Sequence, residues 1–426
     1  MRQADVRPIA PLDRPPDADV VVPGSKSLTN RALVVAALAD GPSRVTNALA
    51  GDDTRAMIEA LRALGFAIES HPGPSVVTVQ GRGGSIPSAR ADLFAGGAGT
   101  VARFLTAMVT LGQGRYTIDG DTRMRERPIQ DLVDALRALG GSVSAGNGTP
   151  PVAVDAHGLR GGRAAVGGEV SSQFLSALLM TAPYATQDVE LIVEGRLVGP
   201  PYIEMTLAVM QAFGVAVERE GLRRFLVRAG QRYRAREYAI EPDASSAAYF
   251  FAAAALTGGR VGVPGLPRHS LQGDAQFVDV LEGMGCRVER REDRVSVRGP
   301  GTLRAADRDL GAMSDQTMTL AATAPFAGGV TRIRGVGHIR HQESDRLAAT
   351  AAELRRLGQD VEEQPDGLVI TPRPVRPAVI QTYGDHRIAM AFSLVGLRTP
   401  GIAIADPACV AKTFPDFFER LEGLRR

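Results

Sequence analysis

Lysine is nearly absent from this sequence. Of 49 basic residues in 426, only Lys26 and Lys412 are lysines, leaving 47 arginines. Where arginine has replaced lysine almost everywhere, a retained lysine points to work that a guanidinium cannot do, such as that of a compact, titratable amine. Asparagine is scarce too, at Asn30, Asn47 and Asn147, and one of the three lies four residues after Lys26. Cysteine is limited to Cys286 and Cys409, which lack C-x-x-C spacing; reduced thiols in a cytoplasmic protein are expected. No apolar run reaches the length of a membrane span, and the residues from Met1 to Asp5 carry no apolar signal core. Charge of one sign is not in excess, the net being +2. The densest basic segment, Arg223 to Arg236, has six arginines but few interleaved aromatics, and reads as a solvated strand and turn rather than a nucleic-acid surface.

What is present in quantity is repetition. Five amphipathic helices end in a glycine followed by a short alternating run, the glycines being Gly65, Gly140, Gly214, Gly285 and Gly358, spaced 75, 74, 71 and 73 residues apart. A sixth copy fits Phe414 to Leu424. Glycine at such a stop supplies the left-handed cap, and the alternation after it predicts strands. A second helix family has the same period: polar starts at Lys26, Gly99, Ser171, Asp243, Asp315 and Asp385 each lead into a small-residue, apolar run. Helices apolar nearly all round are buried. The expected fold is α/β, with a unit of two helices and about four strands used six times, three copies to a lobe. The first lobe is expected over residues 23–242, and the second over 1–22 with 243–426, so that the chain crosses twice. The polar starts are expected to meet in a cleft suited to anions.

Those starts hold the chemically useful residues. In Val20 to Arg31 a β-branched run meets Pro23-Gly24, and a helix is expected to begin with Ser27 or Thr29 near its cap. The spacing is not that of a Walker P-loop. Free N–H groups beside Lys26 and Arg31 would suit an anion, and an ordinary strand-to-helix turn is the other reading. Gly96 to Thr100 is a glycine-rich turn, structural or anion-binding. Ser171-Ser172-Gln173 reads as an N-cap or as a phosphate seat. Arg123, Arg125 and Arg127 crowd one loop, as surface charge or as ligands. Gly337 to Arg346 is denser, and there Glu343 among cations suits proton transfer better than His338, His341 and Glu343 suit zinc. No metal site is expected.

The motifs Pro23-Gly24-Ser25-Lys26-Ser27…Asn30-Arg31, Ala98-Gly99-Thr100…Arg103, Arg125-Glu126-Arg127-Pro128, Ser171-Ser172-Gln173, Asp243-Ala244-Ser245-Ser246, Glu343-Ser344-Asp345-Arg346, Asp385-His386-Arg387 and Lys412-Thr413-Phe414-Pro415-Asp416 stand in an order that resembles the 5-enolpyruvylshikimate-3-phosphate synthase family. The resemblance runs from about Val20 to the C-terminus. It implies two lobes, each of three βαβαββ units around buried helices. It also implies transfer of the enolpyruvyl group of phosphoenolpyruvate to the 5-hydroxyl of shikimate 3-phosphate, by addition and elimination, without metal or organic cofactor. The substrates would be small molecules, with no nucleic-acid or membrane partner, and a monomer is expected. Carried over by position, Lys26, Gly99, Arg127, Gln173, Arg346, Arg387 and Lys412 would hold phosphoenolpyruvate. Lys26, Ser27, Arg31, Ser171, Ser172, Gln173, Tyr202, Asp315, His338 and Gln342 would face shikimate 3-phosphate. Asp315 would take the hydroxyl proton, Glu343 would serve the methylene carbon, and Lys26 would stabilise developing charge.

The sequence departs from the family's pattern in places. Gly97 replaces a frequent Asn. Gly199, His338 and Gln342 stand where Ser, Asn and Lys are common, all on the acceptor side, and Arg340 or His341 is expected to supply the cation that Gln342 lacks. The alternatives are UDP-N-acetylglucosamine enolpyruvyl transferase, which usually has a Cys in the loop from Arg123 to Arg127, and a non-catalytic anion-binding scaffold.

Overall fold

The computed structural model describes residues 5–71, 73 and 75–425. The chain divides into two compact units, Gly24–Ile240 and Met1–Pro23 with Glu241–Arg426. Mixed α/β structure fills both, in six small sheets of three or four strands among the described residues.

One pairing rule recurs in all of them. In Gly24–Ile240 the sheets run Glu237–Ala239, Pro42–Thr46, Val76–Gln80, Ile68–His71; then Arg90–Phe94, Gln113–Asp119, Val152–His157, Val143–Ala145; then Gly162–Gly167, Val189–Glu194, Arg224–Val227, Glu218–Glu220. The first two strands of each are parallel and the remaining pairs antiparallel. The other unit repeats the rule in Asp17–Asp19, Arg260–Pro264, Arg294–Arg298, Arg287–Arg291 and in Asp307–Asp309, Thr331–Arg334, Gly367–Thr371, Asp360–Gln364. Its third sheet has three strands, Ala378–Ile380 parallel to Ile402–Ala405, which Val6–Ile9 joins antiparallel.

The helices with polar starts are the cores. Lys26–Leu38, Gly99–Met108 and Ser172–Thr181 are buried along nearly their whole length, and so are Ala244–Thr257, Thr317–Thr323 and His386–Gly396 in the other unit. Ala and Leu, with other small or apolar residues, dominate them, so there is no strongly polar face to turn outward. Of the helices that close on glycine, Asp52–Ala63 is plainly amphipathic, burying Met57, Ile58, Ala60 and Leu61 and exposing Arg55, Glu59 and Arg62, whereas Pro200–Ala212 exposes only Glu204 and Gln211. Each closing glycine takes positive φ, between 85° and 107°, as the left-handed cap requires.

Two local expectations fail. The strand before Pro23 ends at Asp19, and Val20–Val22 continue without a ladder, Val20 N donating once to Gly262 O at 2.8 Å. Neither Ser27 nor Thr29 caps the first helix. Ser25 stands at the cap without a side-chain cap bond, and Thr29 Oγ1 donates back to Ser25 O at 2.7 Å from inside the first turn. A hydroxyl already in helical geometry finds a carbonyl four residues back more readily than an N–H ahead of it.

Candidate active site

In Gly24–Ile240, the buried helix Lys26–Leu38 carries two cations in its first two turns, Lys26 and Arg31. Lys26 Nζ lies 3.3 Å from Asp53 Oδ2, the lysine side chain 14% and the aspartate 5% exposed. Asp53 belongs to the first turn of its helix, where a carboxylate is favoured anyway; that ordinary role hid its pairing in the sequence. Arg31 is buried: Nε donates to Thr206 Oγ1 at 2.7 Å, Nη1 to Ser27 O at 2.9 Å, and Nη2 to Ser176 Oγ and Tyr202 O. Its guanidinium also lies 5.2 Å from the centre of the Phe104 ring and 5.9 Å from that of Tyr202. All these partners are neutral, and burial pushes the pKa of Arg31 down to about 10.

A second cluster surrounds Gly99. A side-chain carbon there would lie 2.7 Å from Arg127 Nη2, 2.9 Å from Gln173 Oε1 and 3.1 Å from Arg103 Nη1. Gln173 Oε1 is buried without a donor. Ser171 is a true N-cap, its Oγ accepting from Gln173 N at 3.2 Å. The arginine loop sorts itself by burial. Arg125 pairs with Asp119 and Arg123 with Glu126 on the surface, whereas Arg127 is 6% exposed and donates to the carbonyl of Gly97 at 3.3 Å. Gly97 thus offers a backbone acceptor. Gly199 has φ of 59°, and a side-chain carbon there would lie 2.9 Å from Tyr202, so the serine common at this position would be strained here.

In the other unit the cluster is centred on Arg346, which is 1% exposed. Its Nε donates to Asp385 Oδ2 at 2.8 Å, Nη1 to Asp315 Oδ1 at 2.9 Å and to Gln342 Oε1, and Nη2 lies 3.0 Å from Glu343 Oε2. Burial works against its charge, but Asp385, Glu343 and Asp315 outweigh that and raise its pKa. Asp315 is gripped from the other side by Arg387 Nη2 at 2.6 Å, and Lys412 Nζ stands 3.9 Å from Glu343 Oε1. Asp385 caps the His386–Gly396 helix, accepting from Arg387 N at 2.9 Å, and also accepts from Ser344 Oγ at 3.0 Å. Asp315, Glu343, Gln342, Arg346, Arg387 and Lys412 are therefore brought together, with His338 attached at the edge through Ser314 Oγ at 2.9 Å.

Two findings go beyond the sequence reading. Asp274, which it did not single out, is buried beside this cluster, bonded to Ser245, and burial together with the charge of Asp315 pushes its carboxyl up to about 6. A lone acid in a short 3-10 turn gives no sequence signal. Arg340, expected to replace a missing cation, instead donates to Asp345 at 3.0 Å, Glu363 at 2.8 Å and the carbonyl of Gln364 at 2.8 Å. Among the described residues, no group of three or more His, Cys, Asp or Glu side chains could hold a metal ion.

The sequence matches the family described as EPSP synthase (3-phosphoshikimate 1-carboxyvinyltransferase) over residues 13–421. The chain belongs to the EPSP synthase family. A 3-phosphoshikimate 1-carboxyvinyltransferase of Nostoc punctiforme is 51% identical over 418 residues, covering 98% of both chains. One of Shewanella sp. strain W3-18-1 is 46% identical over 430 residues, covering all of both. The solved EPSP synthase of Acinetobacter baumannii superposes with a TM-score of 0.82 at 28% identity, over 98% of each chain. As an EPSP synthase, the chain is a 3-phosphoshikimate 1-carboxyvinyltransferase, a transferase of the shikimate pathway in aromatic amino acid biosynthesis.

Proposed function

We propose that this transferase moves the enolpyruvyl group of phosphoenolpyruvate to the 5-hydroxyl of shikimate 3-phosphate with the residues gathered at the buried helix starts of each unit. Each unit is read as three βαβαββ repeats, and the enzyme as a cytoplasmic monomer. Ser27, Arg31, Ser171, Ser172, Gln173 and Tyr202 are assigned to shikimate 3-phosphate, with His338 and Gln342. The N-cap geometry of Ser171 and the neutral surroundings of Arg31, a buried cation with no carboxylate partner among the described residues, support the assignment. Lys26, Gly99, Arg127, Gln173, Arg346, Arg387 and Lys412 are assigned to phosphoenolpyruvate, whose carboxylate and phosphate suit arginine forks.

The observation that carries the mechanism is the double grip on Asp315, held by Arg346 at 2.9 Å and by Arg387 at 2.6 Å. Arg346 has no idle fork, since Asp385, Asp315, Gln342 and Glu343 occupy it. An incoming oxyanion therefore displaces a carboxylate from the guanidinium. Released from its cations, Asp315 becomes more basic, as acceptance of the 5-hydroxyl proton requires. Glu343, beside Lys412, then protonates the methylene carbon during addition and removes a proton as phosphate leaves. Lys26 stabilises the developing charge.

The test is phosphate release from phosphoenolpyruvate with shikimate 3-phosphate, with UDP-N-acetylglucosamine and with neither, for the wild type, Lys26→Arg and Asp315→Asn. Release only with shikimate 3-phosphate, reduced about a hundredfold or more in both variants, is expected. Variants that keep wild-type kcat would remove Lys26 and Asp315 from the mechanism.

A further inference from the structure

The outer face of one sheet carries a charge pattern that the reaction does not use. In the sheet of Asp17–Asp19, Arg260–Pro264, Arg294–Arg298 and Arg287–Arg291, the outward residues form three rungs. The first runs Asp17, Arg260, Arg298, Arg287, and the second Asp19, Gly262, Ser296, Glu289; the third brings Arg294 beside Arg291. Arg298 thus has an arginine on each side. Like charges directly opposite one another in a sheet are destabilising. The other sheets set unlike charges together: Arg163 faces Glu190, Arg224 faces Glu220, Arg44 faces Glu237 and Asp307 faces Arg332. Even Arg115, which faces Arg90, has Asp155 on its other side.

The Asp19 carboxylate and the Arg260 guanidinium lie over Gly262, but the middle rung is low at Ser296, a small residue, and there a trough runs between the arginine rungs. It holds two cavities, of about 220 and 180 Å³, which share Arg260, Glu289 and Ser296 in their lining. Three carboxylates meet five arginines, an excess of two positive charges. Arg260 is firmly paired, 2.7 Å from Asp17, but Arg298, Arg291 and Arg287 reach carboxylates only at 3.6, 3.7 and 3.9 Å. Guanidinium donors are therefore available on both banks of a trough floored by Ser296, which is 7% exposed.

We propose that this sheet face binds a phosphate dianion, carried by inorganic phosphate or by a small phosphomonoester. Two negative charges match the excess, the cavities have the volume of a phosphate group with a short substituent, and forks from opposite banks suit its oxygens. The bound anion would also relieve the repulsion within the first rung.

The test compares the wild type with Arg298→Glu and Arg298→Gln, following thermal midpoints against inorganic phosphate and against glycerol 3-phosphate, with chloride at matched ionic strength as reference. Binding at the transferase site is common to all three proteins, so the difference between them isolates the trough. Both variants are expected to weaken the additional phosphate response about tenfold or more, with kcat and KM of the transferase reaction unchanged. Without phosphate, Arg298→Glu is expected to melt above the wild type. Equal responses to inorganic phosphate and the ester would identify the phosphate group alone as the ligand; a stronger response to the ester would identify an organic phosphate. Phosphate responses identical in all three proteins would overturn the proposal.

Discussion

Gly99 shows how much one hydrogen atom can matter. The place a side-chain carbon would take is closely bordered by Arg127, Gln173 and Arg103, so an added methyl group would meet Arg127 Nη2 at 2.7 Å and Gln173 Oε1 at 2.9 Å, closer than carbon tolerates. Both groups must retreat; both are assigned to phosphoenolpyruvate, and only Gln173 is shared with shikimate 3-phosphate, whose other assigned residues stay in place. Gly99→Ala is therefore expected to raise the KM for phosphoenolpyruvate about tenfold, equivalent to about 1.4 kcal/mol, while the KM for shikimate 3-phosphate changes far less. Steady-state kinetics with each substrate varied in turn decides it; an effect confined to shikimate 3-phosphate would move Gly99 to the acceptor side. Asp274 gives a prediction in pH. Its folded carboxyl titrates at about 6 against an ordinary 3.8, because burial and the neighbouring Asp315 disfavour its charge. The folded state thus holds a proton that the unfolded state has lost, and stability contributed by this group falls as pH rises through that window. Asp274→Asn removes the titration and can still accept from Ser245. Relative to the wild type it should gain stability between pH 4 and pH 7, by about 3 kcal/mol at most. Urea midpoints across that range would show the widening gap, and a constant difference would mean that Asp274 does not titrate there.

At the scale of elements, the sequence is most readable where a pattern has one physical cause. The closing glycines are legible because a left-handed cap tolerates little else, and all five adopt it. The buried helices are legible because a run such as Ala244–Thr257 offers no polar face, and Asp243 caps it through Ser246 N at 2.7 Å. Edges read less well. Val20–Val22 have the composition of a strand but no partner strand, because the ladder to Arg260–Pro264 stops at Asp19. Within the site, Lys26 stands out by rarity, and Arg127 only by its burial. Arg340 and Arg346 look alike in the sequence; a surface network takes the first, whereas the second is buried among Asp315, Glu343 and Asp385. Asp53 and Asp274 were hidden because their chemistry comes from partners distant in the chain.

At the scale of the whole molecule, the path of the chain has a mechanical consequence. Residues 1–23 belong to the unit of Glu241–Arg426, where they supply a strand to its first sheet and another to its last: Asp17–Asp19 beside Arg260–Pro264, and Val6–Ile9 beside Ile402–Ala405. The segment also buries Ile9, Val20 and Val22 in that unit's core. The corresponding closure in Gly24–Ile240 is made from within, by Glu237–Ala239 on Pro42–Thr46. Removing residues 1–22 should therefore strip one unit and spare the other. Loss of three buried aliphatic side chains is worth about 5 kcal/mol, besides two lost strand ladders that leave unpaired edges. Hydrogen exchange resolved by peptide is the measurement. Amides of Arg260–Pro264 and Ile402–Ala405 should lose protection in the truncated protein, while Val76–Gln80 and Val152–His157 keep theirs. Equal loss in both sets would mean that the two units unfold as one cooperative body. No loss in either would mean that the N-terminal strands add nothing to the stability of the unit they join.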